Sequence, residues 1–187
     1  MTKAEIRETV ETCMKNRKLC RAFMRYDLNY FYYFPLMLND NLFLGIEEDD
    51  FLLNGYSIRR FRDVTKAQVK DDRYEEILKD EGVIKSIVVP DVDITSWQTT
   101  FTSLQRINKN IIVEHENLNE KQCIFVIGRI EKVFKNFAYF RHFDADEIWQ
   151  DEPYKIPYAE ITSVSFGTRY VDTFSKYLCG LPQNFGK

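Results

Sequence analysis

The chain has 187 residues, of which 44% are hydrophobic and 29% charged, and it contains only seven Gly and five Pro. This composition is globular rather than disordered or fibrous, and the length suits one large domain or two small ones. The net charge of −3 is too small to indicate a nucleic-acid or membrane partner, and neither half of the chain is basic.

The cysteines and the first residues of the chain favour a reducing compartment. No pair among Cys13, Cys20, Cys123 and Cys179 has the CxxC spacing of a metal or redox site. The chain starts without an apolar signal region, and its longest apolar uncharged run, residues 28–39, is shorter than the ~20 residues that cross a bilayer. We therefore expect a soluble, cytoplasmic protein with free, buried thiols and no membrane partner.

The first predicted element is an amphipathic helix. Ile6, Val10 and Cys13 lie at i, i+4 and i+7, which places them on one helical face. A basic turn at 16–18 ends this helix. Residues 19–25 follow either as a strand or as an extension of the helix, and the sequence leaves both interpretations open.

The rest of the first half is rich in strand signals. Residues 30–38 are apolar at nearly every position, which is typical of a strand buried on both faces or bent between two layers. Pro35 marks an edge or a bulge in this strand, since proline cannot donate to a ladder. The acidic run 47–50 separates two of the later strands. These span 42–46, 51–58 and 64–70, and a short helix follows over 73–78.

The second half repeats this plan. Trp97, Phe101 and Leu104 have the spacing of the first helix, 91 residues further on. Segment 56–74 also aligns with segment 154–170, and we interpret the chain as an internal duplication. Strands are predicted over 111–116, 123–134, 137–143, 148–149 and 161–166, and a short helix over 169–178.

We predict two domains, 1–89 and 90–187, each a helix followed by about five short antiparallel strands. The fold class is mainly β with short helices, an α+β protein. Closing each set of strands as a small barrel would remove its exposed edges, so we expect two tandem barrels, each preceded by a helix.

The stretch 125–133, Phe-Val-Ile-Gly-Arg-Ile-Glu-Lys-Val, resembles the first motif of Sm-like barrels, an apolar strand with Gly at its bend. Through the phrases at 55–60 and 154–164, most of the chain resembles an uncharacterised bacterial family of tandem Sm-like, SH3-type barrels. The resemblance implies ring assembly and single-stranded RNA binding. It transfers no binding residue, because residues 133–137 lack the Asp and Asn that hold bases in Sm proteins, and the second Sm motif is absent.

An Arg-Tyr pair recurs at the end of both aligned segments. The pairs are Arg73 with Tyr74 and Arg169 with Tyr170. One interpretation is two equivalent sites in which Arg binds an anion and Tyr stacks on a ligand. The alternative is that each Arg pairs locally while each Tyr fills the end of a barrel.

Two basic clusters occur only in the first half. The first contains Lys15, Arg17, Lys18, Arg21 and Arg25, and the second contains Arg59, Arg60 and Arg62. If the clusters converge in space, they would follow a phosphate backbone. Otherwise they are solvated charges beside acidic neighbours.

The sequence contains no clear constellation for metal binding or catalysis. His142, Asp144, Asp146 and Glu147 crowd one turn, but carboxylates on a hairpin turn usually face water, and we predict no metal site. The chain has only two His and no GxxxxGK[ST], GxSxG or HExxH motif. We therefore predict neither a cofactor nor an enzyme active site.

The leading hypothesis is a non-enzymatic binding or scaffold protein that contacts a protein partner or a second copy of itself. Its many aromatic residues suit such interfaces. The alternative is an Sm-like regulator that binds single-stranded RNA. Because the two copies share their fold, we expect function where they differ, at the basic clusters of the first and the His142 turn of the second.

Overall fold

The computed structural model describes residues 1–27, 29–117 and 123–186, so Leu28, with which the apolar run 28–39 begins, lies outside the described residues. The chain divides into two compact units, Met1–Pro90 and Asp91–Lys187, which we call unit 1 and unit 2. Within the described part, no helix is both long enough and apolar enough to span a membrane.

Unit 1 combines helices with a five-stranded antiparallel sheet of order β5-β1-β2-β3-β4. Of the two interpretations of residues 19–25, the strand is confirmed, and it spans Cys20–Met24. The elements are α1 (Lys3–Asn16), β1 (Cys20–Met24), β2 (Tyr30–Leu38), β3 (Leu42–Asp49), β4 (Leu52–Arg60), β5 (Val64–Val69) and α2 (Arg73–Asp80), with single turns of 3-10 helix at Phe61–Asp63 and Ile84–Ser86.

Helix α1 begins and ends at residues suited to those positions. The Thr2 hydroxyl accepts from the backbone N–H of Glu5, whose carboxylate accepts from the N–H of Thr2, a reciprocal capping box. Arg17 ends the helix in the left-handed region, with φ of 51°. The predicted apolar face is buried and confirms the helix: Ile6, Val10 and Cys13.

The sheet of unit 1 has a helix against each face. Helix α1 covers a cluster of buried side chains that includes Tyr33 and Phe43. Helix α2 contributes Leu78 to a second cluster that includes Phe34. Tyr33 and Phe34 are neighbours in β2 and point to opposite faces, as successive strand residues do. Each fully buried side chain of this kind contributes ~1.5–3 kcal/mol to folding.

The predicted closure into a barrel was wrong, because the strands of unit 1 form an open sheet. Their order runs from β5 to β4, and these two strands do not pair with each other. Since α1 and α2 already cover the apolar side chains of both faces, burial does not require the sheet to close. The register shifts between Pro35 and Met37, which confirms the predicted bulge in β2.

Unit 2 has the same order of elements as unit 1, and its sheet is also an open, antiparallel one, of order β10-β6-β7-β8-β9. Its elements are α3 (Trp97–Ile107), β6 (Ile111–His115), β7 (Ile124–Val133), β8 (Phe137–Phe143), β9 (Tyr154–Pro157), β10 (Ser163–Phe166) and α4 (Arg169–Tyr177).

The fourth strand of unit 2 lies at Tyr154–Pro157 and not at the predicted 148–149. Asp144 ends β8 by accepting from the N–H groups of Asp146 and Ile148, both at 3.0 Å, so the intervening residues form a turn. Trp149 makes only an isolated bridge after this turn.

An ion pair is buried in unit 2. Arg141 donates to Glu131 from Nε at 2.8 Å and from Nη2 at 3.0 Å, and both residues are buried. Its Nη1 donates to the carbonyl of Asp151, while the N–H of Gly186 donates to Glu131 Oε1 at 2.9 Å. These additional bonds satisfy the two charged groups, which is the condition under which a buried pair is tolerated.

The cysteines divide between the interior and the surface. Cys13 and Cys20 are buried, whereas Cys123 and Cys179 are exposed, so the expectation of buried thiols was wrong for the last two. All four thiols are free.

Candidate functional site

The Arg-Tyr pair of unit 1 occupies the first turn of α2, which begins at a capping residue. The Asp72 carboxylate accepts from the N–H of Tyr74 at 3.1 Å. Arg73 is exposed and pairs with Glu76 of the same helix at 2.7 Å. Tyr74 instead is half-buried against the sheet. The two members of the pair thus face different surroundings.

Tyr74 connects α2 to the end of β3. Its hydroxyl donates to Glu48 Oε1 at 2.7 Å. Its ring stacks on Tyr32, with centroids 5.9 Å apart, and packs against Phe51 at 4.5 Å. Burial, with a smaller contribution from Glu48, raises the pKa of Tyr74 well above its ordinary value. The hydroxyl is therefore a donor at neutral pH.

Glu48 is a buried carboxylate, and only 4% of the residue is exposed. Its Oε1 accepts from Tyr74 and from the backbone N–H of Phe51, both at 2.7 Å. Its Oε2 is buried and has no hydrogen-bond partner among the described residues. Burial raises the pKa of this carboxyl, and neighbouring Asp49 and Asp50 add to the increase. Half of the carboxylate is thus left without a donor.

The turn between β3 and β4 holds this arrangement. Asp49 pairs with Leu52, which leaves a two-residue turn. Its residues Asp50 and Phe51 have φ of 48° and 66°, the left-handed geometry of a type I′ turn, which usually contains Asn-Gly. A bulky side chain there costs ~1–2 kcal/mol. The turn directs the Phe51 N–H to Glu48 and its ring to Tyr74.

An acidic cleft of about 490 Å³ opens beside Glu48. This is within the ~300–1,000 Å³ range of ligand-binding clefts. Five carboxylates, four aromatic rings and no Lys or Arg are found among its described lining residues. Those residues are Asp27, Asn29, Tyr30, Phe31, Tyr32, Glu47, Glu48, Asp49, Asp50, Asn54 and Tyr74. Carboxylate acceptors beside ring faces are groups that bind cations.

Cations also accompany these rings, in what we call the cation–aromatic row: Lys66, Phe23, Tyr30, Arg21, Tyr32, Lys70 and Tyr74. The Arg21 guanidinium lies 4.4 Å from the centroid of Tyr30 and 5.5 Å from that of Tyr32. Lys70 lies 5.6 Å from Tyr32 and Lys66 lies 5.1 Å from Phe23. The rings follow one another at centroid distances of 5.1–5.9 Å.

Of the first predicted basic cluster, only Arg21 enters the row. Arg17 is exposed at the end of α1. Lys18 forms ion pairs with Asp71 at 2.9 Å and Glu75 at 2.8 Å, and these hydrogen bonds raise the pKa of Lys18. The cluster is therefore divided between solvent, an ion-pair network and an aromatic contact.

The second basic cluster lies largely inside unit 1. Arg59 is buried, donates to Ser57 Oγ at 3.2 Å and lies over the ring of Phe31. Arg60 is buried in an ion pair with Asp63. Arg62 is exposed in the following turn. Two of its three arginines thus face the interior and not an open surface.

The second Arg-Tyr pair begins α4 and has different neighbours from the first. Thr168 caps the helix by accepting from the N–H of Val171 at 3.2 Å. Arg169 is exposed, and Tyr170 is 51% exposed, with its ring beside Phe125 and Phe174.

Strand register explains why the two pairs differ. The pair Pro35–Gly45 precedes the bulge of β2, and Ile130–Phe140 precedes the bulge of β7 in the same way. Gly45 and Phe140 therefore occupy equivalent positions in the two sheets. Three residues further along, Glu48 of unit 1 corresponds to Phe143 of unit 2. Phe143 belongs to a buried apolar cluster with residues of α4. Unit 2 therefore has no carboxylate at this position.

The predicted His142 turn shows local contacts. His142 follows Arg141 in β8, and burial lowers its pKa, while nearby Asp144 opposes this. Asp144 accepts from turn N–H groups, as described above. Over the described residues, no group of three or more His, Cys, Asp or Glu side chains is placed to hold a metal ion.

Sequence reasoning missed Glu48 and the acidic cleft. The acidic run 47–50 reads in the sequence as a spacer between strands, yet it includes the last residues of β3 and part of the following turn. One available signal was alternation, because Leu44, Ile46 and Glu48 fall on the inward phase of the strand.

No family model, curated protein or solved structure matches the chain.

Proposed function

We propose that the protein is a non-enzymatic binding protein whose first unit recognises a protein partner through the acidic cleft. The observation that carries this proposal is the buried, half-satisfied carboxylate of Glu48 at the wall of an open, aromatic-lined cleft. A cleft lined by one sign of charge concentrates the field and attracts oppositely charged groups. Tyrosine-rich surfaces are also typical of the central part of protein interfaces.

The proposal includes the duplication and the Sm-like character of each unit. The shared order of helix, five strands and helix supports it, as do the matching bulges in β2 and β7. In this view both units descend from one module with a bent, open sheet, and only unit 1 carries the cleft.

A comparison of captured proteins tests the function. Tagged full-length chain and the variant Glu48→Gln, together with Glu8→Gln at an exposed position of α1 as control, are each used to capture binding partners for quantitative mass spectrometry. We expect a set of proteins that wild type and Glu8→Gln retain and Glu48→Gln loses. Identical sets for all three chains would contradict the proposal. Light scattering of the same samples identifies self-association as the source of the contact.

Single-stranded RNA binding is a second candidate, favoured specifically by the cation–aromatic row. Aromatic rings interleaved with Arg and Lys are how single strands are held without sequence preference. Labelled mixed-sequence RNA should then bind with an affinity that falls steeply between about 50 and about 200 mM salt, and Arg21→Gln should weaken it. No binding at low salt would exclude this candidate.

A further inference from the structure

The Oε2 atom of Glu48 is a hydrogen-bond acceptor to which no described residue donates. It is buried, and Oε1 of the same carboxylate has two donors. A buried acceptor without a donor is costly, because it has lost its bonds to water without replacement. Since Glu48 lines the acidic cleft, a molecule that binds there is placed to supply the missing donor.

The lining indicates an organic cation and not a metal ion. A metal ion needs several oxygen ligands that converge at ~2.0–2.6 Å. No group of three or more acidic, His or Cys side chains among the described residues is placed in that way. The four aromatic rings of the cleft instead already lie beside the side-chain cations of Arg21, Lys70 and Arg59, so this part of the unit is one where rings and organic cations are held together.

A guanidinium fits these groups better than an ammonium. It is flat, has five N–H donors in a fixed arrangement and is only weakly hydrated, so it stacks on rings and donates to a carboxylate at the same time. The protein contains an internal example, because the Arg21 guanidinium stacks on Tyr30 and bonds to the Tyr32 hydroxyl at 2.9 Å. Both tyrosines also line the cleft.

We propose that the acidic cleft of unit 1 binds the guanidinium of an arginine side chain presented by a partner polypeptide, with Glu48 as its carboxylate acceptor. This inference rests on the proposed protein-binding function. The exposed Asp49 and Asp50 at the mouth of the cleft attract basic residues that flank the arginine. Unit 2, with Phe143 at the equivalent position, does not bind it.

Calorimetric titration of the full chain with three short peptides tests the proposal. The peptides are acetylated and amidated Gly-Gly-X-Gly-Gly in which X is arginine, lysine or citrulline. We expect binding of the arginine peptide, weaker binding of the lysine peptide and no binding of the citrulline peptide, which has the same shape without the charge. Equal affinity of arginine and citrulline peptides would overturn the proposal.

Titration of single-residue variants with the arginine peptide tests whether the acidic cleft is the binding site. Glu48→Gln should weaken the arginine peptide about ten-fold or more, because it removes the charge of a buried partner while keeping its shape. Asp49→Asn, at an exposed position, should weaken it less, and Glu8→Gln should leave it unchanged. Unchanged binding by folded Glu48→Gln would overturn the assignment. If partner capture depends on Glu48 but no arginine peptide binds, the protein-binding function stands and this inference fails.

Discussion

The hydroxyl of Tyr74 and the carboxylate of Glu48 join the start of α2 to the end of β3 through a hydrogen bond of 2.7 Å. The two residues are 26 positions apart in the sequence. Their contact is what places an aromatic ring and a buried carboxylate on one wall of the acidic cleft. It also ties α2 to the sheet by a polar bond in addition to the apolar contact of Leu78.

Removing the Tyr74 hydroxyl should destabilise the protein. Tyr74→Phe keeps the ring contacts with Tyr32 and Phe51 but leaves Glu48 with one donor fewer. Hydrogen bonds to charged groups contribute ~1.5–3 kcal/mol, and the half-buried position favours a loss of about 1–2 kcal/mol in the free energy of unfolding. Urea titration measures it. Tyr177→Phe, at a ring that is 65% exposed, is the matched control and should change nothing. Equal effects of the two variants would contradict the role of the bond.

Stability should depend on pH through Glu48. Burial raises the pKa of this carboxyl above its ordinary value of 4.5, so the folded protein holds the proton more tightly than the unfolded chain does. The corresponding stability is present below the unfolded pKa and is lost as the pH rises through the folded pKa. Glu48→Gln cannot ionise, so its free energy of unfolding should increase relative to wild type from about pH 4 to about pH 7.

Urea titrations of both chains at the two pH values measure that difference, with Glu8→Gln as the exposed control. A constant difference between Glu48→Gln and wild type across this range would show that the carboxyl has the same pKa in the folded and unfolded chain.

A methyl group at Gly128 should disrupt the pairing of β7 with β8. A Cβ at this position would lie 2.0 Å from the carbonyl oxygen of Arg141 and 2.7 Å from the Cα of His142. Both atoms belong to the backbone, so the strands would have to separate. We expect Gly128→Ala to lower the free energy of unfolding by about 3 kcal/mol or more. Gly180→Ala, where a Cβ meets no atom within 4 Å, should be neutral in the same urea titration.

The buried pair of unit 2 should show strong coupling. Glu131→Leu leaves the Arg141 charge buried without its partner and should cost about 3–5 kcal/mol. Adding Arg141→Met replaces the pair by apolar side chains and should recover much of this loss. A double-mutant cycle on unfolding free energies measures the coupling. Additive effects of the two substitutions would mean that the pair contributes no interaction of its own.

Local elements followed from the sequence because they depend on neighbours in the chain. The spacing of Ile6, Val10 and Cys13 is enough to place α1, and the missing N–H of Pro35 is enough to predict an edge or a bulge, of which the structure has the bulge. Closure of the sheet did not follow, because periodicity shows which face of a strand is buried but not whether a helix or another strand covers it.

The acidic cleft was beyond the same reasoning for a related reason. Glu48 is buried where Tyr74 of α2 lies against it, and no spacing within the run 47–50 reveals that contact. The second basic cluster shows the opposite discrepancy, because residues expected on the surface are buried. Their clustering predicts surface charge at Arg59 and Arg60, but both lie inside the fold, where Ser57 and Asp63 accept their hydrogen bonds.

The two units can be compared at one position of the sheet, where unit 1 has Glu48 and unit 2 has Phe143. Phe143 at that place joins the apolar core, whereas Glu48 leaves an acceptor unsatisfied at some loss of stability. Placing the residue of unit 2 in unit 1, as Glu48→Phe, should abolish the proposed binding of a partner, and it should also lower the free energy of unfolding, because the Tyr74 hydroxyl and the Phe51 N–H lose their acceptor.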